Sequence, residues 1–275
     1  LANEVDVVFA SRKGNYLGTM LSHGDRYRPA RLRAQLAASD GPLAVTLGRA
    51  IVHAKISKQQ VLLERLNRRP HQESVTDAVG QLEALLAMIP DASTPMELMG
   101  LEGASARFYF PCLGQLLPEP MRFVERSRQP PQDIVNAALS YLYTILLGEC
   151  VTALHAAGLD PAFGMLHSDQ DNRPSLALDL MEEFRFFADR LALSLINRGQ
   201  IGAGDFVERE GGAVLLEGDA RKTVLVAYQE RKQENLTHPL LSETVPFGLL
   251  PHLQARLLAR TLRGDTAEYL PYLVR

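Results

Sequence analysis

The stretch LLGECVTALHAAGLDPAFGMLHSDQDNRPSLALDLMEEFR, residues 146–185, decides how the chain is read. Its first part continues an apolar helical period from Ile134 to about Ala157, and Gly158 follows as a stop. Asp160-Pro161 opens a turn, Gly164-Met165-Leu166 leads into His167, and a second helical period runs from Ser175 to about Asn197. Glu149 falls on the apolar face of the first helix, in spacing with Ala138, Leu142, Ile145, Ala153 and Ala156. A carboxylate left alone there costs several kcal/mol or becomes protonated, so it requires a partner, either an arginine or a metal ion. Asp179 and Glu182 stand three apart, so both carboxylates project from one side of the second helix.

Three separate segments thus offer Glu149, His167, and Asp179 with Glu182 to one point. A mixed Glu/His/Glu set suits magnesium or manganese, and an open site of that kind polarises a phosphoryl oxygen and activates a hydroxyl nucleophile. Spacing alone leaves two plainer readings open. His167 also reads as a hydrogen-bonded structural histidine, and Asp179 and Glu182 as partners of the flanking Arg173 and Arg185.

Outward from this stretch the chain reads as mainly α. Residues 5–21 alternate, with β-branched residues, as two short strands about a Lys-Gly-Asn turn. Helical period takes over after Arg28-Pro29: Arg31–Ala38, then Gly41–Asn67 with Pro42 near its start, His71–Ile89 ended by Pro90, and Thr94–Phe110. The polar sides of the first two carry a basic stripe of Arg26, Arg28, Arg31, Arg33, Arg49, Lys55, Lys58, Arg65, Arg68 and Arg69, which reads as a solvated face or as one that meets phosphate. A proline-rich connection, 111–133, reads as a flexible or substrate-facing loop, and Asp133 as an N-cap. Beyond the quoted stretch, Phe206–Glu210 and Ala213–Leu216 read as a hairpin turned by Gly211-Gly212. A helix from Asp219 to about Glu234 follows, then a loop over 238–251, then a last helix from Leu250 to Gly264. The expected organisation is a remnant of a β-domain over 1–28 and an α-helical domain with a hairpin insertion over 29–275. The chain opens at Leu1 in what reads as mid-strand, which suggests a piece of a longer polypeptide.

The formal net charge of -3 conceals a pattern. Residues 1–70 hold 12 Lys and Arg against 5 Asp and Glu, whereas residues 131–220 hold 5 against 14. Residues 221–275 turn basic again, with 8 against 5. An acidic middle between basic ends is either a solvated face or a cation site beside phosphate-binding surfaces. Arg221 and Lys222, and the one-sided series Arg256, Arg260 and Arg263, are candidates to meet phosphate.

Other chemistries are excluded. There is no GxxxxGK[ST], no GxGxxG and no nucleophile elbow, and the glycine-rich 199–218 segment reads as a hairpin. Cys112 and Cys150, the only cysteines, form no CxxC and read as buried reduced thiols of a cytosolic protein. No run of about 18 uninterrupted apolar residues marks a membrane span.

The Glu-helix, the GLDP turn, the GMLH loop and the R-x-SLALDLMEEFR helix together resemble one family, the CRISPR-associated integrase that inserts new spacers. MGLEGASARFYF (99–110), AYQERKQE (227–234) and QARLLARTLRGDTAEYLPYL (254–273) share the likeness. The resemblance implies a β-domain followed by a helical metal-binding domain, with Glu149, His167 and Glu182 as ligands of magnesium or manganese and Asp179 as an auxiliary position. It implies that Arg173 contacts phosphate or braces the carboxylates. The implied reaction is a transesterification, in which the 3′-hydroxyl of spacer-precursor DNA attacks a phosphodiester at a CRISPR repeat. Implied partners are double-stranded DNA, a second copy of the chain and a dimer of a small ferredoxin-like CRISPR-associated protein. Some relatives are fused to a reverse transcriptase or an iron–sulfur nuclease. No membrane is implied, and the location is cytoplasmic. The competing expectations are a stand-alone metal nuclease on branched DNA and an inactive DNA-binding scaffold. The family's fuller β-domain is only partly matched here, which bears on the dimer interface.

Overall fold

The computed structural model describes residues 7–10, 16–20, 29–68, 71–119, 121–127 and 130–273. The expected turn at 13–15, and Arg26, Arg28 and Arg69 of the basic N-terminal stretch, lie outside these residues. Strands β1 (Val7–Ala10) and β2 (Tyr16–Met20) pair antiparallel, Val7 opposite Met20, with an irregularity at Phe9/Ala10.

Helix α1 (Pro29–Ser39) ends where Gly41 and Pro42 start α2 (Pro42–Leu66). A Cβ on Gly41 would lie 2.8 Å from the Ala37 carbonyl oxygen, so the tight corner needs glycine. α2 buries Leu47, Ile51, Val52, Ile56, Leu62 and Leu63 against α3 (Glu73–Met88) and α4 (Pro95–Gln115). Its buried face also carries Lys55, Lys58 and Gln59. The α4 N-terminus is closed from both sides. The Thr94 hydroxyl accepts from Glu97 N at 3.2 Å, and the Glu97 carboxylate accepts from Ser93 N at 2.6 Å.

α4 runs past the expected end at Phe110, through Pro111, to Gln115. The ring removes one backbone donor, but Cys112, Leu113 and Leu117 are buried beyond it, and their packing keeps the chain helical. Nor do the described residues of the proline-rich connection read as a free loop. Met121 and Phe123 are buried, and a Cβ on Gly114 would sit 1.9 Å from the Phe123 carbonyl oxygen. Asn136 Nδ2 donates to Glu125 O at 2.9 Å, tying the segment to the next helix.

That helix, α5 (Ile134–Ala157), is capped by Asp133, whose side chain accepts from Asn136 N at 2.7 Å, and by Gly158 at φ 72°. It is long and apolar enough by length and composition to cross a membrane. Here it is the central helix, with Leu139, Leu142, Leu146, Cys150 and Leu154 in the core. Around it lie α6 (Ser175–Glu182), α7 (Arg185–Asn197) and α9 (Leu250–Leu262), and α2 reaches across to α6 and α7. Of the expected α5 face Ala138, Leu142 and Ala153 are buried, whereas Ala156 is exposed and Glu149 only half-buried.

The single helix expected over 175–197 is two. Lys58 Nζ donates to the Glu183 carbonyl at 2.5 Å, and Phe184 N reaches back to Met181 O at 2.8 Å in a tightened last turn. A long-range amine takes the oxygen at the break, and α7 restarts two residues on.

Strands β3 (Phe206–Arg209) and β4 (Ala213–Leu216) form the expected hairpin, with Gly211 and Gly212 at φ 86° and 75°. α8 (Asp219–Gln233) leads into a ladder that sequence reading missed, β5 (Asn235–Thr237) against β6 (Thr244–Pro246). Three-residue strands carry too little alternation to be read. Both cysteines are free and buried. Tyr269 and Tyr272, in the tail, are buried too.

Candidate active site

Asp179, fully buried on α6, organises the loop before it. Its Oδ2 accepts from Met165 N at 2.6 Å and Leu166 N at 3.0 Å, and its Oδ1 from His167 N at 2.9 Å and His167 Nδ1 at 2.6 Å. Three consecutive backbone donors and one ring donor thus converge on a single carboxylate. Gly164 permits the approach, because a Cβ there would meet the His167 carbonyl oxygen at 2.3 Å. Ser175 Oγ donates to Ser168 O at 2.8 Å and closes the loop onto the start of α6. With Nδ1 donating to the carboxylate, a neutral His167 ring presents its lone pair at Nε2, the arrangement by which a carboxylate orients a metal-binding histidine.

Glu182, one turn beyond Asp179, is 2% exposed. Its Oε2 is held by Lys55 Nζ from α2 at 2.6 Å and by Arg185 Nε from α7 at 2.8 Å. Burial alone would raise its pKa, but Arg185, Lys55 and His167 outweigh burial and hold it at about 2. The same pairing raises Arg185 above its ordinary value against the effect of burial. Arg185 also lies 4.7 Å from the centre of the Tyr143 ring. Lys55 makes a second ion pair, with the buried Glu102 of α4.

Glu149 finds its partner on α8: Lys232 Nζ at 2.5 Å from Oε1, and the Tyr228 hydroxyl at 2.8 Å from Oε2. Its negative charge also acts on His252 of α9, which burial otherwise moves below its ordinary pKa.

The structure therefore brings His167 and Asp179 together and sets Glu182 within electrostatic reach of His167. It does not draw Glu149, His167 and Glu182 into a joint grip. Among the described residues no group of three His, Cys, Asp or Glu side chains is arranged to hold a metal ion. The reason is charge: each ligand carboxylate is neutralised by an ammonium or guanidinium reaching it from another helix. The donor set itself fits a hard divalent cation: two carboxylates and an imidazole whose tautomer is already fixed.

The loop opens on a cleft of about 570 Å³, lined by His167, Asp169 and Arg173 on one side and by Met96, Met99 and Asp40 on the other. Arg173 thus lines the same cleft as His167. Arg221 does not; its Nε donates to the Leu216 carbonyl. Lys222, Arg256 and Arg260 are exposed, and Arg263 pairs with Asp265. Sequence reasoning gave Lys55, Glu102, Tyr228 and Lys232 no place in the site, and its reading of Lys55 and Lys58 as part of a basic stripe on the polar side of α2 is overturned, since both are buried. A signal existed for one of them, since Lys55 follows Ile51 by one turn on the apolar face of α2.

Residues 1–230 match the family described as CRISPR associated protein Cas1. The chain is 47% identical over 251 residues to a CRISPR-associated endonuclease Cas1 of Moorella thermoacetica, covering 87% of this chain and 72% of that protein. Its fold is similar to a chain of the Cas6-RT-Cas1–Cas2 complex, with a TM-score of 0.84 and 28% identity over 99% of this chain and 30% of that one. A casposase bound to integration product has the same fold, with a TM-score of 0.84 and 24% identity over 98% of this chain and 75% of that one.

Proposed function

The chain belongs to the Cas1 family of CRISPR-associated proteins, and from that premise we propose that it is a metal-dependent DNA integrase and endonuclease that inserts spacer-precursor DNA into a CRISPR array. The observation that carries the reading is the Asp179–His167 pair, with its ring nitrogen fixed for ligation beside an ionised buried Glu182, at the edge of a cleft that also holds Arg173.

Glu149, His167 and Glu182 would hold magnesium or manganese, which when bound neutralises charge building on a phosphate and acidifies a nearby hydroxyl. The protein's own residues do the rest. Asp179 fixes the imidazole, Arg173 offers a planar donor to a phosphate in the cleft, and the apolar Met96 and Met99 line the opposite wall. The reaction is an exchange of phosphodiester bonds. A 3′-hydroxyl oxygen forms a new bond to phosphorus, the hydroxyl loses its proton, and the strand's former 3′ oxygen departs with a proton. The number of phosphodiesters is unchanged. Holding hydroxyl and phosphate in line is the larger part of such catalysis. The partners are double-stranded DNA, a second copy of the chain and a dimer of the small ferredoxin-like protein, and the reaction takes place in the cytoplasm. Association with a reverse transcriptase accords with the Cas6-RT-Cas1–Cas2 relative.

The test is strand transfer of labelled duplex DNA into a repeat-bearing plasmid with manganese or magnesium, the partner protein present. Joined product is expected with a free 3′ end, and none with a 3′-dideoxy end or with Glu149→Ala, His167→Ala or Glu182→Gln. Cleavage of branched DNA that is indifferent to the 3′ end, with no joined product, would make the protein a nuclease alone. Full joining by the His167→Ala protein would overturn the site.

A further inference from the structure

Glu182 carries two cations on one oxygen, and one of them has somewhere else to go. We propose that Lys55 is a positioning residue for the metal centre, which holds Glu182 in place and passes to Glu102 as a divalent cation arrives. The inference rests on the reading that Glu182 is a metal ligand.

Lys55 Nζ touches Glu182 Oε2 at 2.6 Å and also Glu102 Oε1, so the ammonium bridges α6 and α4. Arg185 donates to the same Oε2 at 2.8 Å. A divalent cation on Glu182 would be repelled by both positive charges at close range, in a site little screened by water. Arg185 is not free to leave. It is partly buried, rooted in the first turn of α7 and stacked on Tyr143. Lys55 sits on a flexible four-carbon stem and already owns its second acceptor.

Glu102 is what makes the exchange feasible. A buried ammonium with no acceptor is costly, so Lys55 could not release Glu182 without another carboxylate in reach. A further acceptor is waiting as well. Gln59, one turn along α2 from Lys55, is 5% exposed, and its Oε1 has no hydrogen-bond partner among the described residues. Gln59 and Lys55 line one small cavity of about 10 Å³ with Glu182, Tyr143, Arg185 and Asp189. That leaves room for about one water, or for an ammonium to shift. An orphaned buried acceptor beside a doubly shared lysine fits a side chain that occupies two positions.

The proposal predicts opposite signs for two substitutions, which no general structural damage produces. Manganese binding to the DNA-free, EDTA-stripped protein is measured by the electron paramagnetic resonance of the free ion. Glu102→Gln leaves Lys55 with Glu182 as its only charged partner among the described residues and is expected to weaken binding about tenfold. Lys55→Met removes the competitor and is expected to tighten it by a similar factor. The double variant has no competing ammonium and so no need of a second acceptor; it is expected to recover from the Glu102→Gln loss to at least wild-type affinity. Should Lys55→Met fail to fold, as read by its melt in EDTA, the recovery of Glu102→Gln in the double variant decides the matter. Weakening by both single variants, no change in either, or no recovery in the double variant overturns the proposal. If the wild-type protein binds no manganese that Glu182→Gln abolishes, the metal reading itself has failed.

Discussion

Replacing Asp179 by asparagine tests how much of the candidate site hangs on one carboxylate. Two N–H groups converge on each oxygen: Met165 N and Leu166 N on Oδ2, His167 N and His167 Nδ1 on Oδ1. Asparagine has one acceptor oxygen. If the NH2 group faces Met165 N and Leu166 N, both lose their partner inside a fully buried site; if it faces His167, the ring can switch tautomer and accept at Nδ1, and only His167 N is left without one. Each buried donor left unsatisfied costs about 1–3 kcal/mol, so the loss is roughly 2–4 kcal/mol, and the lower figure comes with the wrong His167 tautomer for ligation. That is a large share of the ~5–15 kcal/mol that holds a typical domain folded. The measurement is urea unfolding at pH 7 without metal, with the exposed Asp171→Asn as control. Amide hydrogen exchange at Met165, Leu166 and His167 should speed up in Asp179→Asn and not in the control. A loss under about 1 kcal/mol, or unaltered exchange in the loop, would show that the loop is held by something other than this carboxylate.

Three further substitutions probe the surrounding frame. Lys58 is buried on α2 and donates to the Glu183 carbonyl; burial moves its pKa down to about 8 while Glu183 opposes the shift. A depressed amine makes its contribution above the unfolded value of 10.5 and loses it as pH falls through 8. Wild-type stability relative to Lys58→Met should therefore rise by about 2 kcal/mol between pH 7 and 9.5 in urea titrations, and a flat difference would refute the assignment. Tyr269 donates its hydroxyl to the buried Glu183, which also accepts from Tyr272 N at 2.8 Å, so Tyr269→Phe should cost about 2 kcal/mol in urea unfolding. Gly164→Ala pushes a Cβ to 2.3 Å from the His167 carbonyl and should lower manganese affinity at least about tenfold, whereas Gly202→Ala, with nothing within 4 Å, should not.

Much of this protein was legible in one dimension. The α5 boundaries follow from Asp133 and Gly158, the β3–β4 turn from Gly211-Gly212, and the start of α4 from Thr94, because caps and turns are decided by neighbours a few residues apart. The residue types at Glu149, His167, Asp179 and Glu182 announced a polar centre within an apolar frame. The pairing of those groups was not legible. Glu149 meets Lys232, 83 residues away, and Glu182 meets Lys55 across α2 and α6, contacts that no local period encodes. The break at Glu183 and the passage of α4 through Pro111 depend likewise on a distant amine and on distant apolar surface. Backbone preferences act over one or two turns and so can be read along the chain. A buried charge is satisfied by whichever opposite charge the packed helices bring near it, and only the tertiary structure decides which that is.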